Sequence, residues 1–417
     1  MSTAILQSVK SASKFLRTAS VAERNQVLAT LADLLKSEEK LIFSANIKDL
    51  DALSRDANPA FRDRLTLNSK RLEGMQESLR QVATLPDPLG EVVEERTLAN
   101  GLLTKRIRSP LGVIFMIFES RPNVAIEAFS LALKSGNAIL LRGGKESRHT
   151  VQVFYDLMKR ALKSANLDEN CVFGITDPDR ALVLKLLHEK KYIDVVVPRG
   201  GDQLIEFVIE NSKIPIIKND RGMCHVYVHE DANETQAIAI VENAKKQRPG
   251  VCNAMETLLI QESIAQTLLP KIHAKLSQVP GAVIWYGCEK TLKILGSLPL
   301  VEPATAKNFD TEYLDFKMNC KVVADLNEAI THIELHGSKH SEAILTSSET
   351  VARTFQGEVD AAAVYWNAST RFTDGFELGL GGELGISTQK LHVRGPVGLK
   401  ELTSIRWVMD GTGQIRN

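Results

Sequence analysis

From Pro110 onward the chain alternates short apolar runs with amphipathic stretches, and this alternation limits the fold more than any other feature. Gly112 to Phe118 is a continuous apolar run, as a strand covered on both faces requires. Asn123 to Lys134 then spaces Val124, Ile126, Ala128, Phe129 and Leu131 as a helix does. The pattern repeats through strands at Ala138–Leu141, Val172–Thr176 and Ile193–Val197, with helices at Val151–Ser164 and Arg180–Glu189 between them. It starts afresh near residue 225, with strands at 226–228, 257–260 and 283–285 and helices at 235–245 and 264–276. Strand–helix alternation of this kind builds a doubly wound, parallel α/β sheet. Two such units are expected, because 417 residues exceed what one core of ordinary size holds.

The flanks read differently. Residues 1 to about 85 are helical in pattern: Val27, Leu28, Leu31, Leu34 and Leu35 share a face, and Ser20 with Glu23 has the capping-box spacing. Glu91 to Arg108 reads as two alternating strands joined at Asn100-Gly101, a strong hairpin signal. The expected domains are 1–224, from which the 91–108 hairpin projects, then 225–366, and then 367–417, which returns to the first and ends in a strand at 402–409.

Composition excludes several partners. Lys plus Arg equals Asp plus Glu at 51 each, so the basic surplus that nucleic acid or an anionic membrane surface requires is missing. The longest apolar run, Leu111 to Phe118, is far short of the roughly 20 residues of a membrane span. Residues 1–14 carry no apolar signal core. The five cysteines (171, 224, 252, 288, 320) are scattered and contain no C-x-x-C pair. They predict reduced thiols in a cytoplasm, without a disulfide framework or metal site. His336, His340 and His392 likewise lack metal-ligand spacing.

Three stretches carry chemistry. Pro249-Gly250-Val251-Cys252 ends a helix and precedes an apolar strand, which places Cys252 on a tight turn. Lys245, Lys246 and Arg248 lie just upstream, and positive charge favours the thiolate. Arg142-Gly143-Gly144-Lys145 and Arg199-Gly200-Gly201 follow expected parallel strands. Ligands of open α/β sheets gather at such carboxyl ends, and the cations suit phosphate, including the extra phosphate of NADP. No G-x-G-x-x-G follows an early strand, so an ordinary Rossmann dehydrogenase is not supported. A nucleophilic thiol beside a nicotinamide site suits acyl transfer followed by hydride transfer. Asn367 to Gly375 is a polar loop in which Arg371 is the natural partner of an anionic substrate.

In order, Ser109-Pro110-Leu111-Gly112, Glu119-Ser120-Arg121-Pro122-Asn123, Lys134-Ser135-Gly136-Asn137 and Leu141-Arg142-Gly143-Gly144-Lys145 resemble the γ-glutamyl phosphate reductase family, a branch of the aldehyde dehydrogenase superfamily. The resemblance continues through Pro198-Arg199-Gly200-Gly201, Gly222-Met223-Cys224-His225, Gln247-Arg248-Pro249, Cys252-Asn253, Glu256-Thr257 and Ser387-Thr388-Gln389, and so spans the whole chain. It implies an aldehyde-dehydrogenase-like α/β fold with an oligomerisation element formed by the 91–108 hairpin and the C-terminal strand. It implies Cys252 as nucleophile, Arg142 and Lys145 against the adenosine ribose and its 2′ substituent, and Glu312 on the nicotinamide ribose. Arg199, Gly200 and Gly201 complete the expected NADP(H) contacts, with Gly143 and Gly144. Asn123, or another donor near Arg121, is the candidate for the oxyanion, and Arg121, Thr370 and Arg371 for substrate.

The superfamily members that hydrolyse their thioester carry a general-base glutamate upstream of the cysteine. Lys218, in Ile216-Ile217-Lys218-Asn219-Asp220, takes that position here, and a cation cannot activate water. The implied reaction is NADPH-dependent reduction of L-glutamate 5-phosphate to the semialdehyde, by a homo-oligomer. The resemblance leaves open a contact with the glutamate kinase that makes the substrate. The alternatives are another CoA- or phosphate-dependent acylating enzyme of the superfamily, and a scaffold that has kept the fold without the chemistry.

Overall fold

The structure is a computed structural model that describes residues 2–54, 59–119, 121–219 and 221–416. Ser120 and Asp220, both within motifs quoted above, lie outside the described residues. Contacts divide the chain into two units. One comprises Met1–Asn219, Gly379–Gly385 and Val397–Asn417; the other comprises Asp220–Leu378 and Ile386–Pro396.

The first unit begins with helices at Thr3–Leu16, Val21–Ser37, Glu39–Asp51, Pro59–Leu65 and Ser69–Thr84. The capping box is present: the Ser20 side chain accepts from the Glu23 amide, and the Glu23 carboxylate accepts from the Ser20 amide. Val27, Leu28, Leu31 and Leu35 are buried, so the face legible in the sequence is the one that packs. Strands β1 (Val92–Thr97) and β2 (Leu103–Pro110) form the expected antiparallel hairpin. Gly101 at its tip has φ 80°, a conformation open to glycine at little cost.

Next come β3 (Val113–Phe118), β4 (Ala138–Arg142), β5 (Val172–Gly174) and β6 (Val195–Arg199), in a parallel sheet ordered β5-β4-β3-β6. Every residue of β3 is buried, as its unbroken apolar run requires. Burying a side chain such as Phe115 or Ile117 contributes about 1.5–3 kcal/mol.

The second unit holds a seven-stranded, all-parallel sheet. Its strands are β7 (Cys224–Val228), β8 (Met255–Gln261), β9 (Ile284–Gly287), β10 (Val301–Pro303), β11 (Lys317–Val323), β12 (Ser341–Leu345) and β13 (Ala363–Trp366). The order is β10-β9-β11-β8-β7-β12-β13, which puts β8 at the centre. Helices Glu234–Lys246 and Glu262–Leu276 bury Val241, Ala244, Leu269 and Ile272 in one apolar cluster with β7, β8 and β11. A two-residue pair, β14 (Ile386–Ser387) with β15 (Gly395–Pro396), closes this unit. The last strand, β16 (Thr403–Asp410), belongs to the first unit and pairs antiparallel with β2.

The division between units falls at 219/220, where 224/225 was expected, because Cys224 and His225 already belong to β7. Residues 367–378 and 386–396 group with the second unit, where a return to the first from 367 was expected. Side chains explain both. Thr370 Oγ1 donates to the Asn253 carbonyl at 2.7 Å, and Asp360 binds Lys390 at 2.9 Å and Arg394 at 2.8 Å. Those bases hold the Asp360 carboxyl well below the usual carboxylate range.

Candidate active site

Cys252 lies on the turn between helix Glu234–Lys246 and strand β8, as its Pro-Gly context predicts. It is half-buried, whereas Cys171, Cys224 and Cys320 are buried. Burial pushes the Cys171 thiol up to about 12, and raises those of Cys224 and Cys320 well above the ordinary range. Those three are therefore protonated and poorly nucleophilic at neutral pH.

The turn is held from several sides. Gly222, just before β7, packs so closely that a Cβ there would fall inside the Cys252 carbonyl. The Cys224 thiol donates to the same carbonyl at 3.2 Å. Asn253 is buried, and its amide donates to the Thr373 carbonyl at 2.8 Å and to that of Arg371 at 3.4 Å. The 370–373 loop is thereby tied to the Cys252 turn. Further round, Thr373 Oγ1 lies 2.6 Å from Ser341 Oγ and 2.8 Å from the Tyr365 hydroxyl.

Lys245 and Glu256 close the turn at its base. Their side chains are essentially fully buried and 3.0 Å apart, joining the end of the helix to the second residue of β8. The second Glu256 oxygen accepts from the Leu314 amide at 3.3 Å, and Glu312 Oε1 accepts from the Gly222 amide at 2.8 Å. Burial raises the Glu256 carboxyl to about 7 against the pull of Lys245, and lowers the Lys245 ammonium. One buried carboxylate thus ties together the helix before the turn, the strand after it and the 312–314 segment.

This corrects the expected electrostatics. Lys245 is committed to Glu256, and Lys246 donates to the Gln278 carbonyl at 2.7 Å, so neither stands as a free cation beside the thiol. Arg371 does sense Cys252. Burial holds its guanidinium below the ordinary value, while Asp374 and Cys252 pull it back up. Gln247 steadies it by accepting from its Nε at 2.9 Å. Thr370 is also corrected. Its hydroxyl is buried and donated to the Asn253 carbonyl, so it positions the loop and does not face a substrate.

In the first unit the two glycine turns differ. At the end of β4, Arg142 is half-buried, donates through Nη2 to the Pro178 carbonyl at 3.1 Å, and leaves a buried Nε without a partner among the described residues. Lys145 is exposed at the start of a short 3-10 turn. These two remain available to a phosphate. The Arg199–Gly201 turn is engaged internally. Arg199 donates to the Leu384 carbonyl at 2.6 Å, the Gly201 amide donates to Glu119 at 2.9 Å, and a Cβ at Gly200 would meet the Glu119 carboxyl at 2.6 Å. The arginine and one amide of this turn are thus paired within the protein. Gly143 has a similar internal reason, since a Cβ there would lie 3.2 Å from the Phe118 ring. Asn123 is the first residue of its helix and half-buried, two residues after Arg121. Asn219 donates to the Pro198 carbonyl at 3.0 Å and occupies the space that a side chain at Gly385 would need.

Comparison with known proteins is decisive for the family. Residues 2–282 match the aldehyde dehydrogenase family. A γ-glutamyl phosphate reductase of Carboxydothermus hydrogenoformans is 49% identical over 99% of this chain and 98% of its own length. One from Nautilia profundicola is 45% identical over 99% of both chains. The chain belongs to the γ-glutamyl phosphate reductase family of aldehyde dehydrogenases. The crystal structure of the Thermotoga maritima γ-glutamyl phosphate reductase superposes on it with a TM-score of 0.95, at 43% identity and 99% coverage of both chains. The expected fold class is thereby established, and the chain is an oxidoreductase of this family.

Proposed function

We propose that the chain reduces L-glutamate 5-phosphate to L-glutamate 5-semialdehyde with release of phosphate, in proline biosynthesis, and that Cys252 is its nucleophile. The observation that carries the assignment is the half-exposed thiol on a turn pinned by Gly222, Asn253 and the Lys245–Glu256 pair, in a chain of this family. The Cys252 thiolate attacks the acyl carbon, and the tetrahedral adduct collapses with loss of phosphate to leave a thioester. NADPH, when bound, would supply the hydride for reducing this thioester, which releases the aldehyde and returns the Cys252 thiolate. Arg371 balances the negative charge of the substrate beside the thiol, and Asn123 or a donor near Arg121 stabilises the oxyanion.

The chemistry of three residues suits NADP(H). Arg142, with its unpartnered buried Nε, and the exposed Lys145 would hold the 2′-phosphate, and Glu312 the nicotinamide ribose. Gly144 lies between the two cations and lets the backbone come close. Lys218 stands where a hydrolytic member needs a general base, which supports a thioester that waits for hydride and resists water.

The reverse assay tests this reading. Glutamate semialdehyde with NADP should form NADPH only when phosphate is present. Phosphate-independent formation would mean hydrolysis instead, and a requirement for CoA would point to another acylating member of the family.

Ile405, Trp407 and Met409 alternate as exposed residues along one face of β16, which supports a homo-oligomer built through this sheet. Light scattering of W407E should show a smaller particle than the wild type. Among the described residues no helix is long and apolar enough to cross a membrane, which is compatible with work in the cytoplasm. The lability of an acyl phosphate favours hand-over from the glutamate kinase that makes it. Co-sedimentation of the two enzymes tests that contact.

A further inference from the structure

Positive charge is concentrated in the first unit at a place the reaction does not use. Arg24, on helix Val21–Ser37, is 2% exposed, and Lys134, at the end of helix Asn123–Lys134, is 0% exposed. One carboxylate serves both. Asp87 accepts from Arg24 at 2.6 and 3.2 Å, and the Arg24 guanidinium also donates to the Lys134 carbonyl. Among the described residues the Lys134 ammonium donates to neutral oxygens, Asn25 Oδ1 at 2.7 Å and the Ala83 carbonyl at 2.9 Å. Burial lowers its pKa most; Asp87 opposes that shift and Arg24 adds to it. Two buried cations sharing one anion is a costly arrangement, because each buried charge needs compensation.

Beside this pair lies a cavity of about 310 Å³. Arg24 and Asp87 line it, and so do three more arginines: Arg17 at the end of the first helix, Arg108 on β2 and Arg406 on β16. Arg108 is paired with Glu91 at 3.2 Å, but Lys400 shares that carboxylate at 2.7 Å. Arg17 and Arg406 are exposed and have no anionic partner among the described residues. Asp87 is committed to Arg24 and Glu91 to Arg108, so Arg17 and Arg406 bring positive charge to the cavity without an anion of their own among the described residues. Like charges held together at this density repel, and an anion with several acceptor oxygens relieves the repulsion while using fork-shaped donors well.

We propose that this cavity binds a phosphate-type oxyanion, either free phosphate or the phosphoryl group of a small phosphomonoester, at a site separate from the residues assigned to catalysis. Arg17 and Arg406 are its ligands, and the buried Arg24–Lys134 pair supplies the field behind it. The volume suits a phosphate with a few further atoms and is at the lower end of the range for small-molecule pockets. This inference does not rest on the redox reading and stands or falls separately from it.

The test is calorimetric titration of the full chain with inorganic phosphate at low ionic strength, with O-phosphoserine as a phosphomonoester arm. The chain is first alkylated at Cys252, so that phosphate held by the nucleophile turn does not contribute. Wild type is compared with R17A, R406A and the double substitution, all at exposed positions. The expected result is binding that weakens roughly tenfold or more in the double variant. The unalkylated double variant should keep the wild-type kcat and KM for the acyl phosphate. Tighter phosphoserine binding would assign a phosphomonoester; tighter phosphate binding would assign the free ion. Equal isotherms for wild type and double variant would overturn the site, as would no binding at millimolar phosphate. So would a changed oligomeric mass in the double variant, since the arginines would then belong to a subunit contact.

Discussion

The two parallel sheets are used from opposite ends. In the first unit the Arg142–Lys145 turn follows β4, at the carboxyl ends of the strands, where α/β proteins usually gather ligands. In the second unit the groups around the nucleophile cluster where strands begin. Gly222 precedes β7, Cys252 and Asn253 precede β8, and Glu312 and Leu314 precede β11. A carboxyl-end turn offers backbone amides and helix starts, and can leave its cations loose until a phosphate orders them. An amino-end turn lacks that help. Here the support comes from buried side chains: the Lys245–Glu256 pair, Asn253 and Thr370. The nucleophile must stand within tenths of an ångström of its attack position, whereas a phosphate cation need not. The catalytic turn should therefore be the brittle region and the cofactor turn the forgiving one.

The largest effect tests the premise. C252A should lower turnover roughly 10⁴-fold or more while NADPH still binds, as fluorescence titration would show. A variant that kept a tenth of the rate would remove the nucleophile from the brittle region altogether.

Next in size is the staple beneath it. E256A strands Lys245 as a buried charge and should cost about 3–5 kcal/mol in denaturant unfolding. The pH dependence has a defined sign. The folded carboxyl titrates near 7, above its ordinary value of 4.5, so the folded state holds the extra proton between those limits. Its contribution to stability is complete below pH 4.5 and fades as pH rises through 7. E256Q should flatten that part of a Tm-against-pH curve, and an unchanged slope would contradict the assignment.

R371Q should raise KM for the acyl phosphate by about 1.5–3 kcal/mol in equivalent free energy, with NADPH affinity unchanged. T370A removes one buried hydrogen bond and should cost about 1–2 kcal/mol of stability. Its kcat should fall with KM nearly constant, and T370S should restore both, as a positioning role demands.

The smallest effect belongs to the forgiving region. K145A should narrow the preference for NADPH over NADH about fivefold, through NADPH KM alone, since an exposed charge–phosphate contact is worth about 1 kcal/mol. If K145A lost stability as E256A does, the contrast between the two turns would fail.

Much of this was legible in the chain because it is written in local patterns. The β3 run, the Ser20–Glu23 box, the Asn100-Gly101 hairpin and the Cys252 turn each follow from residues a few positions apart. What stayed hidden is long-range pairing. Lys245 beside Cys252 in sequence reads as an activating cation, yet Glu256 on the far side of the turn claims it. Arg199-Gly200-Gly201 reads as a phosphate cradle, yet Glu119, about eighty positions earlier, accepts from one of its amides. Thr370 reads as a substrate ligand until Asn253 is seen to hold its hydroxyl. In each case the motif was real and its partner was distant.

Gly222 has a consequence for the catalytic cycle. Since the Cys252 carbonyl presses against that glycine with no room for even a methyl group, the backbone at the nucleophile has nowhere to retreat in that direction. Freedom to move the Cys252 sulfur is then left to rotation of its side chain about the Cα–Cβ bond.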